Sequence, residues 1–225
     1  IIFALLGTVI NQSCFLVGLS YTTSTNSAIL NTLIPVFTLL VVTFRGQEPA
    51  TPKRILGFMS ALAGVLVLRR VENFSLSDET LIGDLLTMVN CLSYAFFLSY
   101  GKSFLEKHDR IWATAWLFIY GSFGLTLIAI PDYMEFQLPE MSTTLWACAA
   151  FAIIGGTLLT YFLNNWALVY ARSSNVALWI YIQPIIAAVF AWLWLDQSIT
   201  LRTVVSSGLI FLGMYLGLLR ESQLH

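Results

Sequence analysis

The feature that most constrains this chain is an internal duplication. When the sequence is shifted by 149 positions, its first 64 residues align without a gap with residues 150–213. The identical pairs are Gly7/Gly156, Thr8/Thr157, Leu19/Leu168, Tyr21/Tyr170, Ser24/Ser173, Asn26/Asn175, Ala28/Ala177, Pro35/Pro184, Thr51/Thr200 and Gly64/Gly213. Apolar composition alone would not place a proline, an asparagine, a tyrosine and several glycines and threonines in one register. The segment is therefore interpreted as duplicated.

The composition of the chain indicates a membrane protein. Hydrophobic residues make up 58% of the sequence and charged residues 10%, which is too apolar for a water-soluble domain of 225 residues to cover its own surface. The net charge of −1, without a clustered basic face, argues against a nucleic-acid partner. Cys14, Cys91 and Cys148 lie far apart in apolar runs, so we expect small core residues rather than metal ligands or disulfides. The expected partners are a lipid bilayer and a small molecule, without a metal or other cofactor.

Eight segments are apolar and long enough, or nearly so, to form spanning helices, which need about 20 residues. The breaks between them are short and contain charged residues, prolines or turn residues, so no soluble domain fits between them. The segments cover approximately residues 1–20, 26–44, 53–69, 82–101, 111–130, 144–170, 175–195 and 202–220. The predicted fold class is an all-α membrane protein.

The duplication adds an expectation about topology. Spans six to eight repeat spans one to three, so spans four and five should have partners before Ile1. We therefore expect a ten-helix bundle made of two five-helix repeats, with residues 1–70 as the last three helices of the first and residues 81–221 as the complete second. An odd number of spans in each repeat inverts the second one in the membrane, an arrangement found in many secondary transporters.

The distribution of lysine and arginine predicts the orientation. One set of loops holds eight basic residues and the other set holds three, and the richer side is normally cytoplasmic. The C-terminus is therefore expected inside, and the acidic loop with Asp132, Glu135 and Glu140 outside. The eight are Arg45, Lys53, Arg54, Lys102, Lys107, Arg110, Arg172 and Arg220, and the three are Arg69, Arg70 and Arg202.

Several strings resemble the drug/metabolite transporter superfamily, specifically its EamA type. They are Gly83-Asp84-Leu85-Leu86 followed by Ser93-Tyr94-Ala95, Asn26-Ser27-Ala28 through Pro35 with Glu48 and Thr51, and Asn175-Val176-Ala177 through Pro184 with Thr200. The resemblance covers essentially the whole chain and implies a metabolite transporter of a bacterial inner (plasma) membrane. The chain departs from the family's Gly-Glu before each final helix, because it has Gln47-Glu48 and Asp196-Gln197 there.

Polar residues within the spans predict a binding cavity. An unpaired polar group facing lipid tails costs several kcal/mol, so mid-span amides normally face other helices or a wet cavity. Thr8, Asn11 and Gln12 share one helix face, and Tyr161 and Asn164 share the repeat-related face. Each of these residues taken alone is explained by packing between helices, but the symmetric set favours a cavity. The expected substrate-binding residues are Asn11, Gln12, Asn90, Tyr94, Tyr161, Asn164 and Gln183.

Two prolines at equivalent positions, Pro35 and Pro184, are expected to kink the second and seventh spans. A fixed bend and a moving hinge both agree with the sequence. The resemblance favours the hinge, because the family is thought to work by alternating access.

The spans lack the residues of an intramembrane enzyme. No HExxH or GxSxG motif occurs, His108 and His225 lie outside the spans, and Asp84 falls at a helix start, where a carboxylate complements the helix N-terminus. We therefore predict no catalytic residues. The resemblance implies a secondary transporter that exports small metabolites, and binding by amides, hydroxyls and aromatic faces suits zwitterionic or amphipathic, amino-acid-like solutes. A passive channel, a facilitator and a non-transporting membrane subunit are the alternatives, and homo-oligomerisation is left open.

Overall fold

The computed structural model describes residues 1–69, 71–74, 79–133, 142–194, 198 and 200–218, without the side chains of residues 25, 132 and 133. Within these ranges every regular element is a helix, which confirms the predicted all-α class. Eight long helices follow one another along the chain. They are α1 (Ile2–Tyr21), α2 (Ser24–Leu30, Asn31–Leu33 and Ile34–Phe44 in succession), α3 (Pro52–Leu68), α4 (Leu81–Leu105), α5 (Arg110–Tyr133), α6 (Thr143–Tyr170), α7 (Ser173–Trp194) and α8 (Leu201–Leu218).

Seven of these helices are long and apolar enough to cross a membrane. The remaining one, α3, has 17 residues, which is at the lower end of the usual length of about 17 to 25. The C-terminal residues 219–225, Arg70, the acidic residues Glu135 and Glu140, the Asp132 side chain and the Asp196-Gln197 pair lie outside the described part of the chain.

One identity of the duplication, Thr51/Thr200, has the same structural role at the start of α3 and of α8. The Thr51 hydroxyl accepts a hydrogen bond from the Arg54 N–H at 3.4 Å, and the Thr200 hydroxyl accepts one from the Thr203 N–H at 3.3 Å. A threonine at this position satisfies one of the N–H groups that a helix start leaves unpaired. The Thr51/Thr200 identity therefore marks equivalent helix starts.

The turns before the two expected hinge prolines leave α-helical geometry at equivalent places. Residues Asn31–Leu33 and Trp179–Ile182 are 3₁₀-helical, immediately before the segments that contain Pro35 and Pro184. Proline has no N–H to donate back along the helix, so the carbonyls of Asn31 and Ile180 accept instead from the residue before each proline. π-Helical stretches also recur under the shift, at Leu5–Ile10 and Ala152–Leu159.

Helix α4 is the central element of the fold. It packs against α1, α2 and the second half of α6. Half of the residues in its most apolar stretch are buried, against 6% in the corresponding stretch of α6. Glycines allow α1 and α4 to cross closely, because a Cβ on Gly83 would lie 2.6 Å from the carbonyl oxygen of Gly18. This crossing places the polar face of α4 beside that of α1.

Helices α3 and α8 pack antiparallel along a seam of small residues. A Cβ on Gly64 would lie 2.8 Å from the Ser206 carbonyl oxygen, and a Cβ on Gly213 would lie 2.5 Å from the Gly57 carbonyl oxygen. Under the repeat, Gly64 corresponds to Gly213 and Gly57 corresponds to Ser206. Each contact is therefore the repeat image of the other.

Some residues contact their own repeat equivalents. The Ser60 hydroxyl donates to the Leu209 carbonyl at 3.2 Å, and the Gln12 amide donates to the Tyr161 hydroxyl at 3.2 Å, both pairs being 149 residues apart. Two equivalent residues meet in this way when they lie close to the axis that relates the two copies. Such contacts, between antiparallel helices in the case of α3 and α8, agree with an inverted arrangement.

Candidate substrate cavity

A cavity of about 530 Å³ lies between α1, α2, α3, α4 and α7. This volume falls within the range of about 300 to 1,000 Å³ typical of small-molecule sites. The lining begins midway along the helices, at Asn90 and Tyr94, and extends to Ser24 and Arg69, both exposed at one end of the bundle. We call this end the Arg69 face, and the opposite end, where the loop between α2 and α3 lies, the Glu48 face. The cavity opens at the Arg69 face.

Five of the seven predicted binding residues line this cavity, and the other two, Tyr161 and Asn164, do not. The five come from three helices that are distant in sequence, α1, α4 and α7. They are Asn11, Gln12, Asn90, Tyr94 and Gln183.

A chain of side-chain amides forms one wall of the cavity. Asn11 donates to the side-chain oxygen of Asn90 at 2.5 Å, and Asn90 donates to the side-chain oxygen of Asn31 at 2.9 Å. Asn31 in turn donates to the Ser27 carbonyl at 2.9 Å. Buried polar groups are normally paired in this way. The amides therefore hold α1, α4 and α2 together while they also line the cavity.

Tyr161 lies behind Gln12 rather than on the cavity surface. Its hydroxyl accepts from the Gln12 amide and donates to the Gly7 carbonyl at 2.7 Å, and its ring packs edge-on against Phe97 and Phe118. Asn164 is half-buried, and its side-chain nitrogen has no hydrogen-bond partner among the described residues.

The two 3₁₀ segments supply lining residues that are not among the seven expected binding residues, although Asn31, Thr32 and Tyr181 are polar residues of the second and seventh spans. Asn31 and Thr32 come from the first segment, and Ile180 and Tyr181 occupy the equivalent positions in the second. The Tyr181 side chain is 1% exposed, and its hydroxyl has no partner in the described part of the chain. The position of each pair one turn before a repeated proline is the signal that could have identified them.

The electrostatics of the cavity are simple. Arg69 is the charged residue among the described lining residues, and no acidic side chain or histidine lines it there. The part of the chain that the structure covers also contains no cluster of His, Cys, Asp or Glu that could hold a metal ion. Amides, hydroxyls and aromatic rings are thus available to bind a solute through hydrogen bonds and ring contacts.

Asp84 is buried beside the cavity, at the Arg69 face. As expected it lies in the first turn of α4, and its carboxylate also accepts hydrogen bonds from Thr22 at 2.6 Å, Asn26 at 3.3 Å and Thr80 at 3.3 Å. The side chain therefore fixes the turn between α1 and α2 against the start of α4.

Comparisons with known proteins agree with this architecture. The model of the EamA-like transporter family matches residues 1–70 and 81–219. An uncharacterized transporter of Archaeoglobus fulgidus is 27% identical and covers 99% of this chain and 76% of its own length. The uncharacterized transporter YoaV of Bacillus subtilis is 22% identical, with shares of 88% and 68%.

Two further similarities come from a plant and from a solved structure. The WAT1-related protein At3g30340 of Arabidopsis thaliana is 24% identical and covers 98% of this chain and 68% of its own length. A crystal structure superposes with a TM-score of 0.80 at 14% identity, over 96% of this chain and 74% of that one. At this level of identity the superposition shows a shared fold.

Proposed function

Since this chain belongs to the EamA-like transporter family and is a membrane transporter, we propose that it carries a small metabolite across the membrane by alternating access. The observation that carries the proposal is a cavity of about 530 Å³. Among the described residues, its lining reaches from mid-bundle to the Arg69 face and does not reach the Glu48 face. A family and relatives named as transporters favour transport over enzymatic catalysis.

The lining supports a zwitterionic or amphipathic, amino-acid-like substrate. Gln12, Gln183 and the Tyr94 hydroxyl offer hydrogen bonds, Phe15 and Tyr94 offer ring faces, and Arg69 lies at the mouth. Small-molecule sites commonly combine apolar surface with a few placed polar groups. A solute with both an apolar part and hydrogen-bonding groups fits this pattern.

We propose two inverted repeats, residues 1–70 and 81–221, that exchange conformations during transport. The self-equivalent contacts Gln12–Tyr161 and Ser60–Leu209 support this division. In the state open at the Glu48 face, the repeat-related side chains should line the cavity. Tyr161 and Asn164, the equivalents of Gln12 and Phe15, would then reach the substrate, with bending at Pro35 and Pro184.

We propose that the Glu48 face is cytoplasmic, in an inner (plasma) membrane, because basic residues are concentrated there. Labelling by an impermeant maleimide in intact cells tests this. Glu79→Cys should react from outside, and His108→Cys should react after the cells are opened. The reverse pattern would invert the orientation.

Export is the proposed direction, supported by the superfamily resemblance. Flux into inverted vesicles measures the direction of transport.

Transport itself is tested with purified protein in proteoliposomes and a panel of radiolabelled neutral amino acids and related amphipathic solutes. A carrier gives saturable uptake that is accelerated by unlabelled solute on the opposite side. Uptake that rises linearly with concentration and shows no such counterflow indicates a channel. If no solute of this class moves, the proposed substrate class is wrong.

A further inference from the structure

A buried ion pair closes the bundle at the Glu48 face. The Arg54 guanidinium lies 2.5 Å from the Glu48 carboxylate, and the two side chains are 3% and 5% exposed. The Ser174 hydroxyl accepts a hydrogen bond from Arg54 and donates one to Glu48, and the Ser174 N–H also donates to Glu48 at 3.3 Å. Arg54 further donates to the Pro49 carbonyl at 2.7 Å. The Glu48 carboxylate and both terminal nitrogens of Arg54 therefore have close partners, whereas the Arg54 Nε has none among the described residues.

The cluster connects the two stretches of the sequence repeat. Glu48 and Arg54 flank the start of α3, whereas Ser174 lies in the first turn of α7. Separating α7 from α3 would remove Ser174, so Glu48 and Arg54 would each lose a hydrogen-bond partner. The Glu48–Arg54 pair itself would remain, since both residues lie on the α3 side, but the hydrogen bonds that Ser174 makes to both charged groups would be lost, and hydrogen bonds to charged groups are stronger than average. The cluster therefore opposes opening of the bundle at this face.

Neighbouring contacts close the same face. Arg45 donates to the Ser99 hydroxyl at 2.8 Å and lies 3.6 Å above the Tyr100 ring. Gln47 donates to the Ser103 hydroxyl at 3.0 Å. The loop between α2 and α3 is thus fixed to the end of α4 as well as to α7.

In the sequence, the positions that the 149-residue shift pairs with the cluster are not ionisable. Glu48 corresponds to Gln197, Arg54 to Thr203 and Ser174 to Thr25. An Arg202–Glu72 ion pair at 2.5 Å does occur at that face, but its side chains are 38% and 53% exposed. Exposed pairs contribute little because water screens them. Among the described residues, the Arg69 face therefore has no buried ion pair like that of the Glu48 face.

We propose that Glu48, Arg54 and Ser174 form a latch that holds the Glu48 face shut. Because the positions equivalent by the 149-residue shift hold Gln197, Thr203 and Thr25, none of them ionisable, the latch biases the substrate-free protein toward the state open at the Arg69 face. The three residues position the gate and do not touch the substrate. This proposal rests on the proposed function, in that the cavity is taken as the transport route.

The test measures from which face the cavity is accessible, and needs no substrate. The reporter is Ala28→Cys, which lines the cavity, in a protein whose Cys14, Cys91 and Cys148 are replaced by alanine. An impermeant maleimide is applied to right-side-out and to inverted vesicles. With the latch intact, labelling should be at least about tenfold faster from the Arg69 face. Glu48→Gln and Ser174→Ala should each raise labelling from the Glu48 face about fivefold or more.

Two matched variants separate gating from a general loss of structure. Glu106→Gln removes the exposed Lys102–Glu106 pair at the same face and should leave both labelling rates unchanged. The double variant Glu48→Gln/Arg54→Gln removes both charges, so it should recover thermal stability relative to either single variant. Its labelling from the Glu48 face should nevertheless stay raised, which a purely structural role would not produce.

The outcomes distinguish the two proposals. If Ser174→Ala and the double variant, as folded proteins, are labelled from the Glu48 face no faster than the parent, the latch is wrong. If labelling shifts as expected but no solute of the panel is transported, the latch stands and the proposed substrate class fails. Faster labelling of the parent from the Glu48 face would overturn the assigned resting state.

Discussion

The side-chain amide of Gln12 donates a hydrogen bond to the hydroxyl of Tyr161, the residue that occupies its own position in the other copy of the repeat. Tyr161 passes the interaction on to the Gly7 carbonyl within the π-helical stretch of α1. The axis that relates the two copies thus runs beside the cavity wall. At that place the two copies meet through the polar Gln12–Tyr161 contact.

Tyr161→Phe should lower stability, because the Gln12 amide and the Gly7 carbonyl both lose their partner. Leaving a buried polar group unpaired costs about 1 to 3 kcal/mol. Thermal unfolding of the purified protein in detergent measures the change. Tyr120→Phe, at a residue 39% exposed, is the control and should have little effect. Equal unfolding temperatures for both variants would show that the Gln12–Tyr161 contact contributes nothing.

Tyr181→Phe should lower transport without lowering stability. The hydroxyl is buried without a partner in the described structure, so its removal should leave stability unchanged or raise it slightly. Transport should fall about tenfold, because a substrate hydrogen bond worth about 1.4 kcal/mol is lost. Uptake per reconstituted molecule is the measurement. Unchanged uptake would mean that the substrate does not use this hydroxyl.

Asn90→Ala should weaken transport by about tenfold or more, since a buried amide contributes about 1 to 3 kcal/mol. Asn90 also links Asn11 to Asn31, so uptake must be normalised to folded protein. Val89→Ala, at the neighbouring residue that is 47% exposed, should transport normally. Normal uptake by Asn90→Ala would identify the amide chain as a packing contact.

Asn164→Ala tests the exchange between repeats. We expect transport to fall about tenfold, because Asn164 should line the cavity in the state open at the Glu48 face. Solute binding from the Arg69 face should be unchanged, since Asn164 does not line the cavity there. Equilibrium binding and flux are measured on the same preparation. Weakened binding from the Arg69 face, or unaltered flux, would contradict the exchange.

Gly213→Ala should severely reduce the amount of folded protein. Its Cβ would lie 2.4 Å from the Ala61 nitrogen and 2.5 Å from the Gly57 carbonyl oxygen, and backbone atoms of a packed helix cannot move aside cheaply. Gly208→Ala, where a Cβ meets nothing within 4 Å, should be neutral or stabilising by up to about 1 kcal/mol. Size-exclusion profiles and unfolding temperatures are compared for the two variants. Equal amounts of folded protein and equal unfolding temperatures would contradict the close packing of α3 against α8.

The helices could be predicted from the sequence because hydropathy and span length leave few alternatives, but their ends could not. The fourth span was expected to end near Gly101, yet α4 continues to Leu105. Lys102 interrupts the apolar run without ending the helix, because its ammonium donates to the carbonyls of Leu168 and Ala171. That contact depends on tertiary structure, which hydropathy does not report.

The candidate site was predicted in part, for a related reason. Helical periodicity placed Asn11 and Gln12 on the correct face, but a symmetric pattern predicts a symmetric cavity. The cavity opens at one face, so Tyr161 and Gln12 cannot both line it in the same way. Tyr181 is a polar residue of the seventh span but was not among the seven expected binding residues, because its place in the cavity depends on the 3₁₀ turn that carries it.

The reciprocal packing of α3 against α8 has a mechanical consequence. If the two repeats exchange conformations as proposed, a contact that is its own image keeps the same geometry in both states and need not break. The glycine seam between Gly57, Gly64 and Gly213 can therefore be as rigid as a protein core. In the proposed cycle, this seam would be the fixed contact about which the other helices move.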